Sequence, residues 1–295
     1  ENLKERTKQT TMANISIKAQ QMPASAIRKL VPFADAAKKE GVKVYHLNLG
    51  QPDIKSPVCA LDAVRNYSLE NVSYSHSAGL MELRKGLVEK YYRKIGIDLT
   101  VDELIVTVAG SESVNLALEI TCNPGDEVIV LEPFYTNYNT FAFMNGLTLK
   151  AIPTDIRNGF QIPPIEEFEK AITDKTKAIL VCNPGNPTGT QYSKESMLAL
   201  GEIARKHDLF LLSDEVYREF CYTDEPHFSA MNIPGLEQNV VLIDSVSKRY
   251  NLCGARVGCI ISHNKDVMTA AMKFAQARLC PPVLGQMAAI GALDT

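Results

Sequence analysis

The chain has 295 residues, 45% of them hydrophobic and 22% charged, with a formal net charge of −3. That length suits one large domain or two modest ones around a sizeable core, and a slightly acidic balance without a basic stripe argues against nucleic acid as the main partner. No apolar run approaches the ~18 residues of a membrane span; the seven scattered cysteines without C-x-x-C fit a reducing cytoplasm, and five dispersed histidines without H-E-x-x-H give no support to a metal site.

Residues 1–14, which begin ENLKERTKQTT, are polar and mixed in charge and lack the apolar core of a signal peptide, so they read as a leader or flexible arm. ASAIRKLVPFADAAKKEG (24–41) places apolar residues at helical spacing and ends on glycine, predicting an amphipathic helix. VYHLNLGQPD (44–53) predicts a short strand that breaks at Gly50 and Pro52, and residues 79–95 again have a helical period. Beyond them the rhythm changes. Short apolar runs recur as ELIVTVAG, DEVIVLEP, LTLKAIPT, KAILVCNP, LFLLSDEVY, VVLIDSVSK and VGCIIS. Helix-length segments such as SESVNLALEITC, KESMLALGEIARKH and KDVMTAAMKFAQAR separate most of them. Apolar strands alternating with amphipathic helices predict an α/β fold, a mostly parallel sheet with helices on both faces.

In such sheets ligands bind beyond the carboxyl ends of the strands. The residues that follow the apolar runs are polar: Gly110-Ser111-Glu112, Glu132-Pro133, Asn183 to Gly189, Asp214 to Tyr217, and Ser245 to Lys248. A lysine after a strand is ordinarily a solvated loop residue. Lys248 stands instead between Ser245, Ser247 and the later Gly254, Arg256 and Gly258. Small neighbours leave room for a flat cofactor, and Arg256 could hold an anion or depress a nearby amine's pKa. Asp214 by itself reads as a strand-end carboxylate that caps the next turn. Ser111 reads as the cap of the following helix, whose N-terminus would also suit a phosphate. The two Asn-Pro pairs of NPGNPTG (183–189) mark a shaped turn rather than a strand.

SVSKRYNLCGARVG (245–258) resembles the lysine signature of class I/II aminotransferases, pyridoxal 5′-phosphate (PLP) enzymes of fold type I. LNLGQPD, YSHSAGLMELR, TVAGSES, EPFYTNY, NPGNPTG and SDEVY resemble family segments in family order, so the likeness spans roughly residues 15–295. It implies a three-layer α/β/α large domain with a mostly parallel seven-stranded sheet over 56–295, and a small domain represented here only by its beginning, in an arm of 15–55.

The roles that follow are those the resemblance implies. Lys248 holds PLP covalently and shuttles a proton between the substrate Cα and the cofactor. Asp214 pairs with the pyridine nitrogen, where a retained proton makes the ring an electron sink. Tyr217 and Asn186 hydrogen-bond the phenolate oxygen, and Asn186 with Gly50 also borders the substrate, the Gly50 backbone facing its carboxylate. The backbone of Gly110, Ser111 and Glu112, with Ser245 and Arg256, cradles the phosphate. Tyr135 stacks on the ring, with Phe134 as the alternative, in a chain that has no tryptophan for this position. Tyr74 reaches the neighbouring subunit's phosphate, which implies a homodimer with shared sites. Glu132–Pro133 and Asn186–Pro187 are expected to be cis.

The family pattern continues past the end of this sequence, IGALDT, and includes there the arginine for the substrate α-carboxylate, so no residue here is assigned that role. The expected activity is amino transfer between an L-amino acid, with aspartate as the candidate donor, and a 2-oxo acid such as 2-oxoglutarate, in the cytoplasm. A PLP-dependent C–S β-lyase is the alternative, since fold and cofactor leave the reaction open. A non-catalytic PLP-binding regulatory module is a third reading, but residues 1–23 are too short and too weakly basic for a DNA-binding segment.

Overall fold

The seven apolar runs become seven strands of one sheet in a computed structural model, which describes residues 13–25, 27–48, 50, 52–68 and 70–295. They are β1 (Leu104–Thr107), β2 (Glu127–Glu132), β3 (Thr148–Pro153), β4 (Thr176–Cys182), β5 (Phe210–Asp214), β6 (Val240–Ser245) and β7 (Gly258–Ile261). Their order is β1-β7-β6-β5-β4-β2-β3. β7 runs antiparallel to both of its neighbours, and every other pairing is parallel. The sheet is thus mostly parallel, as expected.

The helices are α1 (Ile17–Gln21), α2 (Val31–Lys39), α3 (Val58–Arg65), α4 (Met81–Gly86), α5 (Ala109–Thr121), α6 (Asn137–Asn145), α7 (Ile165–Ala171), α8 (Lys194–Lys206), α9 (Val246–Arg249), α10 (Lys265–Arg278) and α11 (Val283–Ala292). Alternate strand residues go to opposite faces. Ile105, Val128, Val130, Leu212 and Ile243 pack with α5, α6 and α10 residues such as Val114, Tyr138 and Ala271. Leu104, Val106, Ile129, Leu211 and Leu242 pack with Leu83 of α4, Phe168 of α7, Leu200 of α8 and Ala289 of α11. Helices therefore cover both faces, and the strands other than the edge strand β3 are buried enough to read as continuous apolar runs.

Two units divide the chain, residues up to Val44 and Tyr45–Thr295. In the first, the helix expected over 24–41 forms as a 3-10 turn (Arg28–Leu30) followed by α2, and ends at Gly41 with φ 82°. Neither α1 nor α2 buries a residue. The leader expected over 1–14 lies, for residues 1–12, outside the described residues.

In the second unit, helical structure from α4 continues as a π-helical stretch (Leu87–Tyr92) and a 3-10 turn (Arg93–Ile95), ending at Gly96 with φ 77°. The strand expected within 44–53 does not form among the described residues there. Tyr45 and Leu47 are 71% and 94% exposed, and the seven-stranded sheet does not include this segment. Among the described residues no helix is long and apolar enough to cross a membrane.

Candidate active site

The sheet's connectivity gathers the polar strand ends on one edge. β1, β2, β4, β5 and β6 leave their carboxyl ends there, and antiparallel β7 begins there. This explains why Arg256 comes just before a strand while the other expected residues come just after one. β7 must approach very closely: a Cβ on Gly258 would lie 2.5 Å from the Ala109 carbonyl carbon and 2.7 Å from the Gly110 nitrogen. Only glycine fits without a backbone shift.

Lys248 lies on the one-turn helix α9, whose start is capped by the Ser245 side chain accepting the Ser247 N–H. Its Nζ donates to the Gly50 carbonyl at 2.5 Å, lies 4.0 Å from Cys253 Sγ and sits 5.9 Å from the centre of the Tyr217 ring. Asn186 Nδ2 donates to the Tyr217 hydroxyl at 3.4 Å. Five expected positions spread over two hundred residues of sequence, Gly50, Asn186, Asp214, Tyr217 and Lys248, thus belong to one edge.

Asp214 closes β5 and is 5% exposed. Its Oδ2 accepts the Tyr138 hydroxyl at 2.7 Å, and its Oδ1 accepts the Val216 N–H at 3.3 Å. Burial pushes its carboxyl up to about 6; these two donors oppose the shift, and the nearby Asp244 and Glu215 charges add to it. Burial likewise raises the Tyr217 phenol, which therefore stays a hydrogen-bond donor. Tyr138 carries no signal as a partner of Asp214 in sequence, although it lies three residues after Tyr135, one helical turn away.

Helix α5 begins at Ala109, three residues earlier than a Ser111 cap requires. The capping expectation for Ser111 is corrected: the Glu112 carboxylate accepts the Val108 N–H instead, and Ser111 lies inside the first turn. Gly110 and Ser111 still belong to the first turn, whose N–H groups lack intrahelical partners, and Glu112 follows directly after them. Ala109 adopts φ 62°, a left-handed conformation unfavourable for a residue with a Cβ, and its carbonyl accepts the Thr107 hydroxyl at 3.1 Å. The Ser245 hydroxyl is buried and engaged with the Val257 carbonyl at 3.0 Å. Arg256 is exposed, adopts φ 54°, and donates to the Cys253 carbonyl at 3.0 Å.

The Tyr135 phenol is raised by burial first and by the Asp214 charge second, while Arg256 opposes the shift. Phe134 stacks on Tyr138 with centroids 6.3 Å apart. Tyr135 thus lies within electrostatic reach of both Asp214 and Arg256. Tyr74 is 80% exposed. The Glu132–Pro133 and Asn186–Pro187 bonds are cis, and so is Asn183–Pro184, which was not anticipated.

The residues fit PLP. Among the described residues no cation pairs with the buried Asp214 carboxylate, and a protonated pyridine nitrogen would supply one. An amine, an amide N–H and a phenol converge from Lys248, Asn186 and Tyr217, a donor set suited to an aldehyde and an adjacent phenolate oxygen. The α5 N-terminus and Arg256 suit a phosphate. Groups of three or more His, Cys, Asp or Glu able to hold a metal are absent among the described residues.

The sequence pattern described as "Aminotransferase class I and II" matches residues 42–295. A putative aminotransferase of Bacillus subtilis is 36% identical over 93% of this chain and 70% of its own length. The crystal structure of an aspartate aminotransferase from Thermotoga maritima superposes with a TM-score of 0.89 at 33% identity, over 95% of this chain and 75% of that one. An alanine aminotransferase from Pyrococcus furiosus gives a TM-score of 0.87 at 34% identity, over 95% and 72%.

Proposed function

The chain belongs to the class I and II aminotransferases, PLP-dependent transaminases of fold type I, and from that premise we propose that Lys248 is its covalent anchor and that it moves an amino group from an L-amino acid, aspartate first among candidates, to a 2-oxo acid such as 2-oxoglutarate. The observation that carries this reading is the meeting of Lys248, Asn186, Tyr217 and Asp214 at the carboxyl edge of β4, β5 and β6. The aspartate preference rests on the substrate named for the Thermotoga relative.

PLP, when bound, supplies an aldehyde for an amine to attack and a protonated ring that draws electrons from the substrate Cα. Asp214 holds the proton on the ring nitrogen, and burial strengthens that pairing. Tyr217 and Asn186 donate to the phenolate oxygen. The N–H groups of Gly110, Ser111 and Glu112, with Ser245 and Arg256, bind the phosphate, and the Tyr135 ring covers one face of the site. With PLP bound, the Lys248 amine would carry the proton between the substrate Cα and the cofactor carbon. Gly50 and Asn186 border the substrate. Tyr74 completes the site of a second copy, so the working form is a homodimer. The seven cysteines are unpaired, which supports a cytoplasmic setting.

Borohydride reduction of the loaded protein should leave the phosphopyridoxyl group on Lys248. A label on another lysine, read by mass spectrometry, rejects the anchor. A panel of amino donors should show amine transfer that depends on the 2-oxo acid; pyruvate and ammonia released without an acceptor would point to the β-lyase instead.

A further inference from the structure

Arg249, the residue after Lys248, has no part in the chemistry above, yet its side chain is only 5% exposed. Its Nη2 lies 2.5 Å from Asp244 Oδ2, and its guanidinium carbon lies 3.6 Å from the centre of the Tyr91 ring. Asp244 is fully buried near the end of β6 and also accepts the Tyr92 hydroxyl at 2.6 Å. Burial works against the Asp244 charge, but Arg249 and Arg218 outweigh it and hold its carboxyl below the usual range. Arg249 Nε lies 3.5 Å from Glu219, whose carboxylate accepts the Tyr91 hydroxyl. Arg218, paired with buried Glu215, lies over the Tyr92 ring at 5.5 Å.

The chain alternates sides here. Asp214 binds Tyr138, while the next residue, Glu215, binds Arg218, Ser229 and the Ala230 N–H. Lys248 reaches Gly50, while the next residue, Arg249, turns to Asp244 and Tyr91. Both strand ends that carry the proposed catalytic pair are thus anchored in one buried ionic cluster.

Desolvating two guanidinium groups is costly, and buried ion pairs often add little net stability compared with apolar packing. What such a cluster does supply is a defined geometry, because a forked guanidinium stacked on a ring has few alternative positions. Helix α9 needs that help. It is four residues long, too short to hold itself, with a serine cap at one end and Arg249 at the other.

We propose that Arg249 is a positioning residue for Lys248: clamped between Asp244 and the Tyr91 ring, it pins the one-turn helix that carries the lysine to β6 and to the segment after Asp214. This rests on the reading of Lys248 as the covalent anchor.

The test measures how fast the cofactor-free protein captures PLP. In that step the Lys248 nitrogen bonds to the aldehyde carbon and the carbonyl oxygen leaves as water; borohydride then fixes the product for mass spectrometry. The Arg249→Met/Asp244→Asn pair removes both charges together, so neither is left buried alone. It should remain folded but capture PLP about ten- to a hundredfold more slowly, the scale on which small misplacements act. Arg249→Lys keeps the charge without the fork or the full stack, and should recover part of that rate. A folded double variant that captures PLP at the wild-type rate overturns the proposal. If the double variant fails to fold, Arg249→Lys and Tyr91→Leu decide. Slower capture well below their Tm supports positioning, whereas a lowered Tm with unchanged capture reduces Arg249 to a structural role. Wild-type label on a different lysine would reject the anchor itself, an outcome distinct from failure of the variants.

Discussion

The Tyr138 hydroxyl donates to Asp214 Oδ2 at 2.7 Å, joining the first turn of α6 to the end of β5 beneath the candidate ring site. Burial and the Asp214 charge raise the tyrosine's own pKa, so it is a fixed donor at any working pH. Tyr138→Phe should therefore move the Asp214 titration above about 6 and slow the half-reaction with an amino acid by roughly ten- to a hundredfold, the scale of a hydrogen bond to a charged group. Carboxylate difference spectra across a pH series measure the first effect and stopped-flow absorbance the second. An Asp214 titration that stays put would remove Tyr138 from this role.

Asp214→Asn should have opposite consequences with and without PLP. The folded cofactor-free protein binds the Asp214 proton more tightly than an unfolded chain does, with a pKa of about 6 against the ordinary value of 3.8. The stability contribution is therefore complete below pH ~4 and is lost as pH rises through about 6, a change on the order of 3 kcal/mol. The Tm advantage of the asparagine variant over wild type should grow across that window and level off above it. The loaded variant should retain much of its PLP but lose about a hundredfold or more in transamination rate, because the phosphate contacts remain while the ring-nitrogen partner is gone. A pH-independent Tm difference would contradict the first half.

Gly258→Ala should damage the phosphate end of the site from behind. The added methyl would meet the backbone of Ala109, Gly110 and Asp244 at 2.5, 2.7 and 2.8 Å, and none of these can swing aside like a side chain. The cost expected for such overpacking is about 1–3 kcal/mol, together with weaker PLP retention. Gly254→Ala is the control, since nothing lies within 4 Å of its added methyl. Equal Tm values and equal PLP retention in the two variants would show that β7 has room to move.

Tyr74 provides a test of shared sites. If its exposed ring acts in a partner subunit, Tyr74→Phe should weaken PLP retention by about 1.5–3 kcal/mol. Mixing Tyr74→Phe subunits with Lys248→Ala subunits would place both lesions in one site of the heterodimer and leave the other whole. Activity should recover on mixing. No recovery, with heterodimers verified by mass, would assign Tyr74 to its own subunit.

The sequence by itself determined which segments form the sheet and which residues stand at its rim. A buried parallel strand needs an unbroken apolar run, and the polar residues that end it must stay near solvent or a ligand, so Asn186, Asp214, Tyr217 and Lys248 were legible from position as well as from family likeness. The same reasoning failed at 44–53, where no strand forms among the described residues. It also placed the Ser111 cap three residues too late, because the start of α5 follows from the left-handed Ala109 and the close approach of Gly258. Only the tertiary structure decided that β7 runs antiparallel and so delivers Arg256 to the rim, that Tyr138 supports Asp214, and that Arg249 turns inward to Asp244. Apolar periodicity records that a face is buried without recording its neighbours. A buried hydrogen bond or ion pair depends on neighbours brought together from far along the chain, here Asp214 with Tyr138 across 76 residues and Asp244 with Tyr92 across 152.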